Sequence, residues 1–101
     1  MIIAYARVSS RDQNPDMQLG QLKRYGYDKL FSEKRTGMKV LPELEKCLEE
    51  LRAGDELIIY RLDRLGRTLA AIVKAANRVR EKKATLVSLS DNFDTKTTAG
   101  R

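Results

Sequence analysis

The chain has 101 residues, of which 42% are hydrophobic and 34% charged, a composition typical of one soluble domain with a single core. A net charge of +6 and a pI near 9.7 favour a polyanionic partner such as nucleic acid, although basic composition alone also fits ribosomal and membrane-surface proteins. Cys47 is the only cysteine and histidine is absent. This excludes an internal disulfide, a thiolate metal cluster, Ser-His-Asp or Cys-His catalysis and the usual zinc-hydrolase ligands.

The opening apolar run is interrupted at once by Arg7 and Arg11, so we expect neither a signal peptide nor a membrane span. Together with the single cysteine, this favours a reducing, cytoplasmic location. A nucleophile in this protein would need an activating partner other than histidine.

Hydrophobic patterning predicts strands and helices in strict alternation. The expected strands cover 1–9, 29–33, 56–61 and 85–90, and the expected helices run over 14–26, 42–54 and about 68–83. Residues 34–39 are the best candidate for a mobile loop, and 91–101 are polar and expected to be loosely ordered. This order predicts an α/β fold with an open, mostly parallel sheet and helices on both faces.

Apolar residues that recur at helical spacing predict a buried stripe on each helix. They are Leu19, Leu22 and Tyr25 in the first helix, Leu44, Cys47, Leu48 and Leu51 in the second, and Leu69, Ile72, Val73, Ala76 and Val79 in the third. Cys47 is therefore predicted to be a core residue rather than a reactive thiol.

Chemistry-bearing residues cluster where predicted strands end. Ser9 lies at the end of the first strand, where serines commonly cap turns. Arg7 lies two residues earlier, in a buried strand, where burial of its charge costs free energy unless the side chain meets an anion. It is predicted either to form an internal ion pair with Asp63 or Glu33 or to bind a phosphate.

Asp63, Arg64 and Arg67 follow the third strand, and Gly66 among them permits a close backbone approach or a positive φ. One interpretation is a solvated loop in which Asp63 supports the next helix. Two arginines at a helix start oppose its dipole, however, and an anion bound between them removes the conflict. Because sites in such sheets form beyond the carboxyl ends of the strands, Ser9 and Lys34 are expected at the same edge.

These segments form a set in a specific order and spacing. They are Tyr5-Ala6-Arg7-Val8-Ser9-Ser10, Asp12-Gln13-Asn14 with Gln18, Glu33-Lys34 ahead of Thr36-Gly37, Gly54-Asp55, Leu62-Asp63-Arg64-Leu65-Gly66-Arg67, and Asp94-Thr95 through Gly100-Arg101. Over essentially the whole chain the set resembles the N-terminal catalytic domain of the serine recombinases, the resolvase and DNA invertase group.

The resemblance implies a site-specific DNA recombinase in which Ser9 attacks a DNA phosphodiester, giving a 5′-phosphoserine link without a metal or nucleotide cofactor. It further implies a role for each matching residue. Arg7, Arg64 and Arg67 would stabilise the scissile phosphate, Asp63 would be a candidate for proton transfer to the leaving oxygen, Tyr5 and Gln18 would complete the pocket, and Lys34 and Thr36 would lie beside it. Members often carry an arginine before the proline that opens the second helix, where this chain has Leu41. Either Lys39 supplies that positive charge from a shorter loop, or this protein has lost one phosphate ligand.

The resemblance also implies DNA as partner, and a dimer and a synaptic tetramer in the parent protein. We expect residues 1–101 to be a single catalytic domain that stops before the long dimerisation helix and the DNA-binding domain, and to be monomeric or weakly associating and weakly active alone. Two other classes stay open. The chain could be a non-catalytic regulatory or assembly module of the same fold, or a phosphate-binding α/β module that uses the arginines without a covalent step.

Overall fold

A computed structural model describes residues 1–8, 15–34, 42–66, 68–91 and 93–94, with side chains excepted at 8, 15, 16, 34, 93 and 94. The strands are β1 (Ile2–Val8), β2 (Lys29–Lys34), β3 (Glu56–Ile59), β4 (Thr85–Ser88) and β5 (Phe93–Asp94). The helices are α1 (Pro15–Tyr25), α2 (Pro42–Glu50) and α3 (Leu69–Glu81), and a short 3₁₀ turn covers Leu62–Arg64.

The sheet has the strand order β2-β1-β3-β4-β5, in which the first four strands are parallel and β5 runs antiparallel to β4. The predicted class, an open and mostly parallel α/β sheet, is confirmed. The sequence did not predict β5, which lies in a stretch expected to be loosely ordered. A strand of two residues is too short to produce a readable alternation of apolar and polar side chains.

Helices cover both faces of the sheet, as predicted. Ile3 and Tyr5 of β1 belong to the larger core cluster, to which α2 and α3 contribute. Ala4 and Ala6 point to the opposite face and pack with Leu22 of α1. The period-two alternation of β1 therefore supplies both cores from one strand.

The predicted stripe of α2 is confirmed, with Leu44, Cys47, Leu48 and the following Leu51 all buried. Burial raises the pKa of the Cys47 thiol to about 12, and the nearby Glu50 carboxylate adds to the effect. The thiol is therefore protonated at neutral pH and is a core group, as the sequence indicated.

The stripes of α1 and α3 are only partly correct. Leu22 is fully buried, but Tyr25 is 42% exposed and donates a hydrogen bond to Glu56 Oε1 at 2.6 Å. On α3, Leu69 is 77% and Val73 48% exposed, which contradicts the prediction. The buried side of α3 instead follows Ile72, Ala75, Ala76 and Val79. Adjacent helical residues differ by about 100° in direction, so a mixed apolar run does not identify the buried face uniquely.

Several predicted boundaries also move. Gly26, with φ +93°, follows the end of α1 as expected. α2 ends at Glu50 rather than at Gly54, which has φ +90° in the turn into β3 and donates its N–H to the Lys83 carbonyl at 3.1 Å. No helix within the described residues is long and apolar enough to cross a bilayer.

Candidate active site at the carboxyl edge of the sheet

β1 and β3 are adjacent and parallel, so the residues near their carboxyl ends meet at one edge of the sheet. Arg7, near the end of β1, donates from Nη2 to the main-chain carbonyl of Asp63 at 2.6 Å. Asp63 and Arg64 lie in the 3₁₀ turn that follows β3. The fold thus brings Arg7, Asp63 and Arg64 together.

Other predicted site residues lie outside the described part of the chain. These are Ser9, Thr36, Lys39 and Arg67, together with Ser10 and Leu41. The backbone of Lys34 ends β2, next to the end of β1, where the register pairs it with Val8. The roles assigned to these residues stay predictions.

Arg64 contains an unusual buried donor. The residue is half-buried, and its Nε atom is inaccessible to solvent without any hydrogen-bond acceptor among the described residues. A buried donor that loses water and gains no partner costs about 1–3 kcal/mol, and more when the group is charged. An anion would offset this cost if the surroundings of Nε opened to admit it.

Asp63 is the accessible carboxylate of the cluster. Its side chain is 51% exposed, and Oδ2 accepts a hydrogen bond from Arg61 Nη2 at 3.1 Å. Ion pairs between exposed groups are weak, so this contact leaves the carboxylate available. Asp63 therefore joins the cluster through two atoms, its carbonyl to Arg7 and its carboxylate to Arg61.

Gln18 packs beneath the end of β1. It is only 3% exposed, and Nε2 lies 3.4 Å from the carbonyl oxygen of Arg7, a long hydrogen bond. Its Oε1 is buried without a donor among the described residues. The sequence places Gln18 near this edge, and the contact with the Arg7 carbonyl agrees with that position. Arg7 lies two residues before Ser9 in the chain.

The Tyr5 side chain forms its hydrogen bond inside the domain rather than at the surface. The side chain is fully buried, and the hydroxyl donates to Glu33 Oε2 at 2.6 Å, while Glu33 Oε1 accepts the Glu43 N–H at 2.9 Å. Burial raises the pKa of the Tyr5 phenol well above its usual range, the bond to Glu33 and its charge raise it further, and Arg7 opposes them. A protonated phenol thus links β1, β2 and the first turn of α2, while the phosphate contact predicted for Tyr5 stays a prediction.

The sequence reasoning missed this link and also missed Asp91. Asp91 Oδ2 accepts hydrogen bonds from the Leu62 N–H at 2.8 Å and from Ser88 Oγ at 2.7 Å. These two donors, with a smaller contribution from Arg61, hold the pKa of Asp91 below its usual range. An acidic residue shortly after a predicted strand was the only signal in the sequence.

Gly66 connects the 3₁₀ turn with α3 and is required by a close approach rather than by a positive φ. A Cβ atom placed on it would lie 2.5 Å from the Cβ of Ala71 and 3.3 Å from the Ala71 main-chain carbon. Thr68 then caps α3 by accepting the Ala71 N–H at 3.1 Å. The segment that carries Arg64 is therefore packed directly against the first turn of α3.

Within the described residues, no group of three or more cysteine, aspartate or glutamate side chains is arranged to hold a metal ion. The groups that this part of the site offers are guanidinium donors, which suit binding of an anion, and a carboxylate.

Three comparisons with known proteins agree on one family. The family model described as "Resolvase, N terminal domain" matches residues 2–101. The chain is 44% identical over its whole length to the transposon Tn917 resolvase of Enterococcus faecalis, of which it covers 55%. It is 37% identical over its whole length to the serine recombinase gin of Escherichia phage Mu, of which it covers 53%. The chain thus spans about half the length of the curated relatives it matches.

Solved structures support the same fold. A resolvase family site-specific recombinase from Streptococcus pneumoniae superposes with a TM-score of 0.76, at 14% identity, over 94% of this chain and 75% of the other. A serine recombinase from Sulfolobus solfataricus gives a TM-score of 0.66 at 23% identity, over 87% of this chain and 66% of the other. The full-length family match and the curated relatives carry the assignment beyond the fold: this chain belongs to the serine recombinase family, as a resolvase N-terminal domain.

Proposed function

We propose that this chain is the catalytic domain of a site-specific DNA recombinase of the resolvase and invertase type, which cuts and rejoins DNA through a 5′-phosphoserine intermediate. Its family membership supports the proposal, and its relatives carry the names resolvase, serine recombinase and DNA invertase.

The observation that carries the proposal is the buried Nε of Arg64, which has no acceptor within the described residues and belongs to a cluster with Arg7 and Asp63. Guanidinium groups bind phosphoryl oxygens bidentately, and they stabilise the charge that builds as phosphorus is attacked. A DNA phosphate is the kind of acceptor that this Nε lacks among the described residues, and it would bond to Nε once the atom became accessible.

In the proposed reaction, the Oγ of Ser9 forms a bond to phosphorus and the bond from phosphorus to the 3′ oxygen breaks. The Ser9 proton passes to a base, and the leaving 3′ oxygen takes up a proton, for which Asp63 is the candidate donor. Arg7, Arg64 and Arg67 hold the phosphate and its developing charge. The energy of the broken bond is kept in the phosphoserine ester, so rejoining needs no nucleotide cofactor, and in this proposal the arginines stabilise the charge in place of a metal.

DNA is the proposed partner, and a net charge of +6 favours its approach. We also propose that recombination requires paired subunits, as the family resemblance implies, and that residues 1–101 alone associate weakly and react slowly. A functional test therefore supplies the remaining parts from a relative.

In the test, the chain replaces the matched region of the Tn917 resolvase, and the graft is mixed with a supercoiled plasmid that carries that resolvase's recombination sites. The readout is a covalent protein–DNA adduct. We expect an adduct with the parent graft and with Ser10→Ala, and none with Ser9→Ala. Absence of adduct from every graft, when the intact Tn917 resolvase forms one, would refute the recombinase proposal and favour a regulatory module.

A second pair of variants tests the arginine cluster. Arg64→Ala is expected to slow adduct formation by about 100-fold or more, since a preorganised donor to a developing charge is lost. Arg80→Ala removes the same charge from an exposed site on α3, where the side chain donates from Nη2 to Asn77 Oδ1 at 2.7 Å. Equal effects of the two variants would mean that Arg64 acts only through net charge.

A further inference from the structure

The turn that follows β4, residues 89–91, is bound along its length to the chain that leaves β3. The Leu89 N–H donates to the Ile59 carbonyl at 3.0 Å, and the Ser90 N–H donates to the Tyr60 carbonyl at 2.7 Å. Asp91 completes the series by accepting the Leu62 N–H at 2.8 Å. These bonds join the ends of two adjacent parallel strands just where β3 gives way to the 3₁₀ turn.

The Asp91 carboxylate is itself held in place. The same Oδ2 atom that binds Leu62 accepts a hydrogen bond from Ser88 Oγ at 2.7 Å, and Ser88 is only 1% exposed. Both donors favour the ionised form of Asp91, so its pKa is lowered. Hydrogen bonds to a charged acceptor are about twice as strong as neutral ones, which suits this carboxylate to fix the main chain it binds.

The first N–H of the 3₁₀ turn, that of Leu62, is not capped by the side chain of the residue before it. Arg61 precedes the turn and makes no side-chain capping bond, so the first N–H of the turn is satisfied by Asp91 from another element. On its other side, the turn is bound by Arg7, which donates to the Asp63 carbonyl. The turn that carries Asp63 and Arg64 is thus held between β4 and β1.

We propose that Asp91 is a positioning residue for the recombination chemistry: by holding the Leu62 N–H, it fixes the 3₁₀ turn so that Arg64 and Asp63 meet the scissile phosphate. This inference rests on the proposed function. Asp91 acts through the main chain of the turn and touches neither the DNA nor the reacting atoms.

The chain offers a matched control for a purely structural effect. At the opposite edge of the sheet, Asp28 Oδ2 accepts the Ile2 N–H at 2.7 Å, and Asp28 is exposed, as is Asp91. Asp28→Ala and Asp91→Ala therefore each remove a carboxylate that accepts one main-chain N–H of a strand-edge segment, and Asp91→Ala also removes the acceptor of Ser88 Oγ. Only Asp91 binds the segment that carries the site.

The experiment measures the single-turnover rate of adduct formation with the Tn917 resolvase graft, at a temperature where each variant is folded by circular dichroism. Asp91→Ala is expected to lower the rate by about 10- to 100-fold, since small displacements of catalytic groups have effects of this size. Asp91→Asn keeps an oxygen acceptor and is expected to stay within about threefold of the parent, as is Asp28→Ala, because neither disturbs the geometry of the turn. Plasmid affinity is expected to be the same in all four proteins.

The outcomes separate the two proposals. If the parent graft forms no adduct, the recombinase function fails and the positioning role fails with it. If the parent is active and Asp91→Ala is as fast, or Asp28→Ala is equally slow, only the positioning role is overturned. It is also overturned if Asp91→Asn is as slow as Asp91→Ala, because the charge of Asp91 rather than its hydrogen bond to the turn would then matter.

Discussion

Gly66→Ala is expected to destabilise the domain, because the added methyl group has no room. Its Cβ would lie 2.5 Å from the Cβ of Ala71, with the Ala71 main-chain carbon at 3.3 Å and the Ile72 nitrogen at 3.4 Å. Carbon atoms pack best at about 3.5–4.0 Å, so the first turn of α3 must move by roughly 1 Å. Overpacking of this kind costs about 1–3 kcal/mol.

The effect is measured as the free energy of unfolding in urea and as the midpoint of thermal unfolding. For a domain of this size, about 1 kcal/mol corresponds to roughly 4–8 °C, so a fall of about 5–20 °C is expected. Gly20→Ala is the matched control, because Gly20 lies in α1 with nothing within 4 Å of an added Cβ. Helix propensity predicts that it is neutral or stabilising by up to about 1 kcal/mol.

A double variant identifies the contact responsible. Ala71→Gly removes the nearest atom, so Gly66→Ala combined with Ala71→Gly should cost less than the sum of the single changes, with a coupling of about 1 kcal/mol. Additive effects would mean that the clash with Ala71 is not the cause. An unchanged stability for Gly66→Ala, with Gly20→Ala behaving as expected, would refute the close approach altogether.

Three further results are expected. Leu48→Ala, at a site 2% exposed, should lower the free energy of unfolding by about 2–5 kcal/mol. Leu69→Ala, at a site 77% exposed, should change it by less than about 0.5 kcal/mol. Similar values for the two variants would contradict the different burial of these leucines. Cys47, with a pKa near 12, should react with a thiol reagent only after unfolding, and rapid native labelling would show an accessible thiol. Because the pKa of Asp91 is lowered by folding, its stabilising contribution is complete above the unfolded value of about 3.9 and is lost as pH falls through the folded value. In urea titrations at several pH values, the parent should therefore lose more stability below about pH 4 than Asp91→Asn, and parallel curves would contradict the shift.

Patterns along the chain were sufficient for much of the fold. The alternation of strand and helix periods predicted a mostly parallel sheet with helices on both faces, because each period specifies a local conformation and a buried side. The stripe of α2 was predicted residue by residue, since its apolar positions form one narrow face with charged residues around them. α3 was predicted less well, because alanines and other apolar residues surround more of that helix and leave the buried side to be chosen by packing.

The sequence by itself determined the order of the elements from β1 to β4, the core residues of the clearly amphipathic segments and the motifs that mark a recombinase domain. Only the tertiary structure decided that Tyr5 donates to Glu33 and that Asp91 holds the Leu62 N–H, contacts between residues 28 and 29 positions apart. Local periodicity identifies which way a side chain faces, but the partner of a polar group depends on which strands lie side by side. In this sheet, that partner is decided by the order β2-β1-β3-β4, which brings the ends of distant segments together.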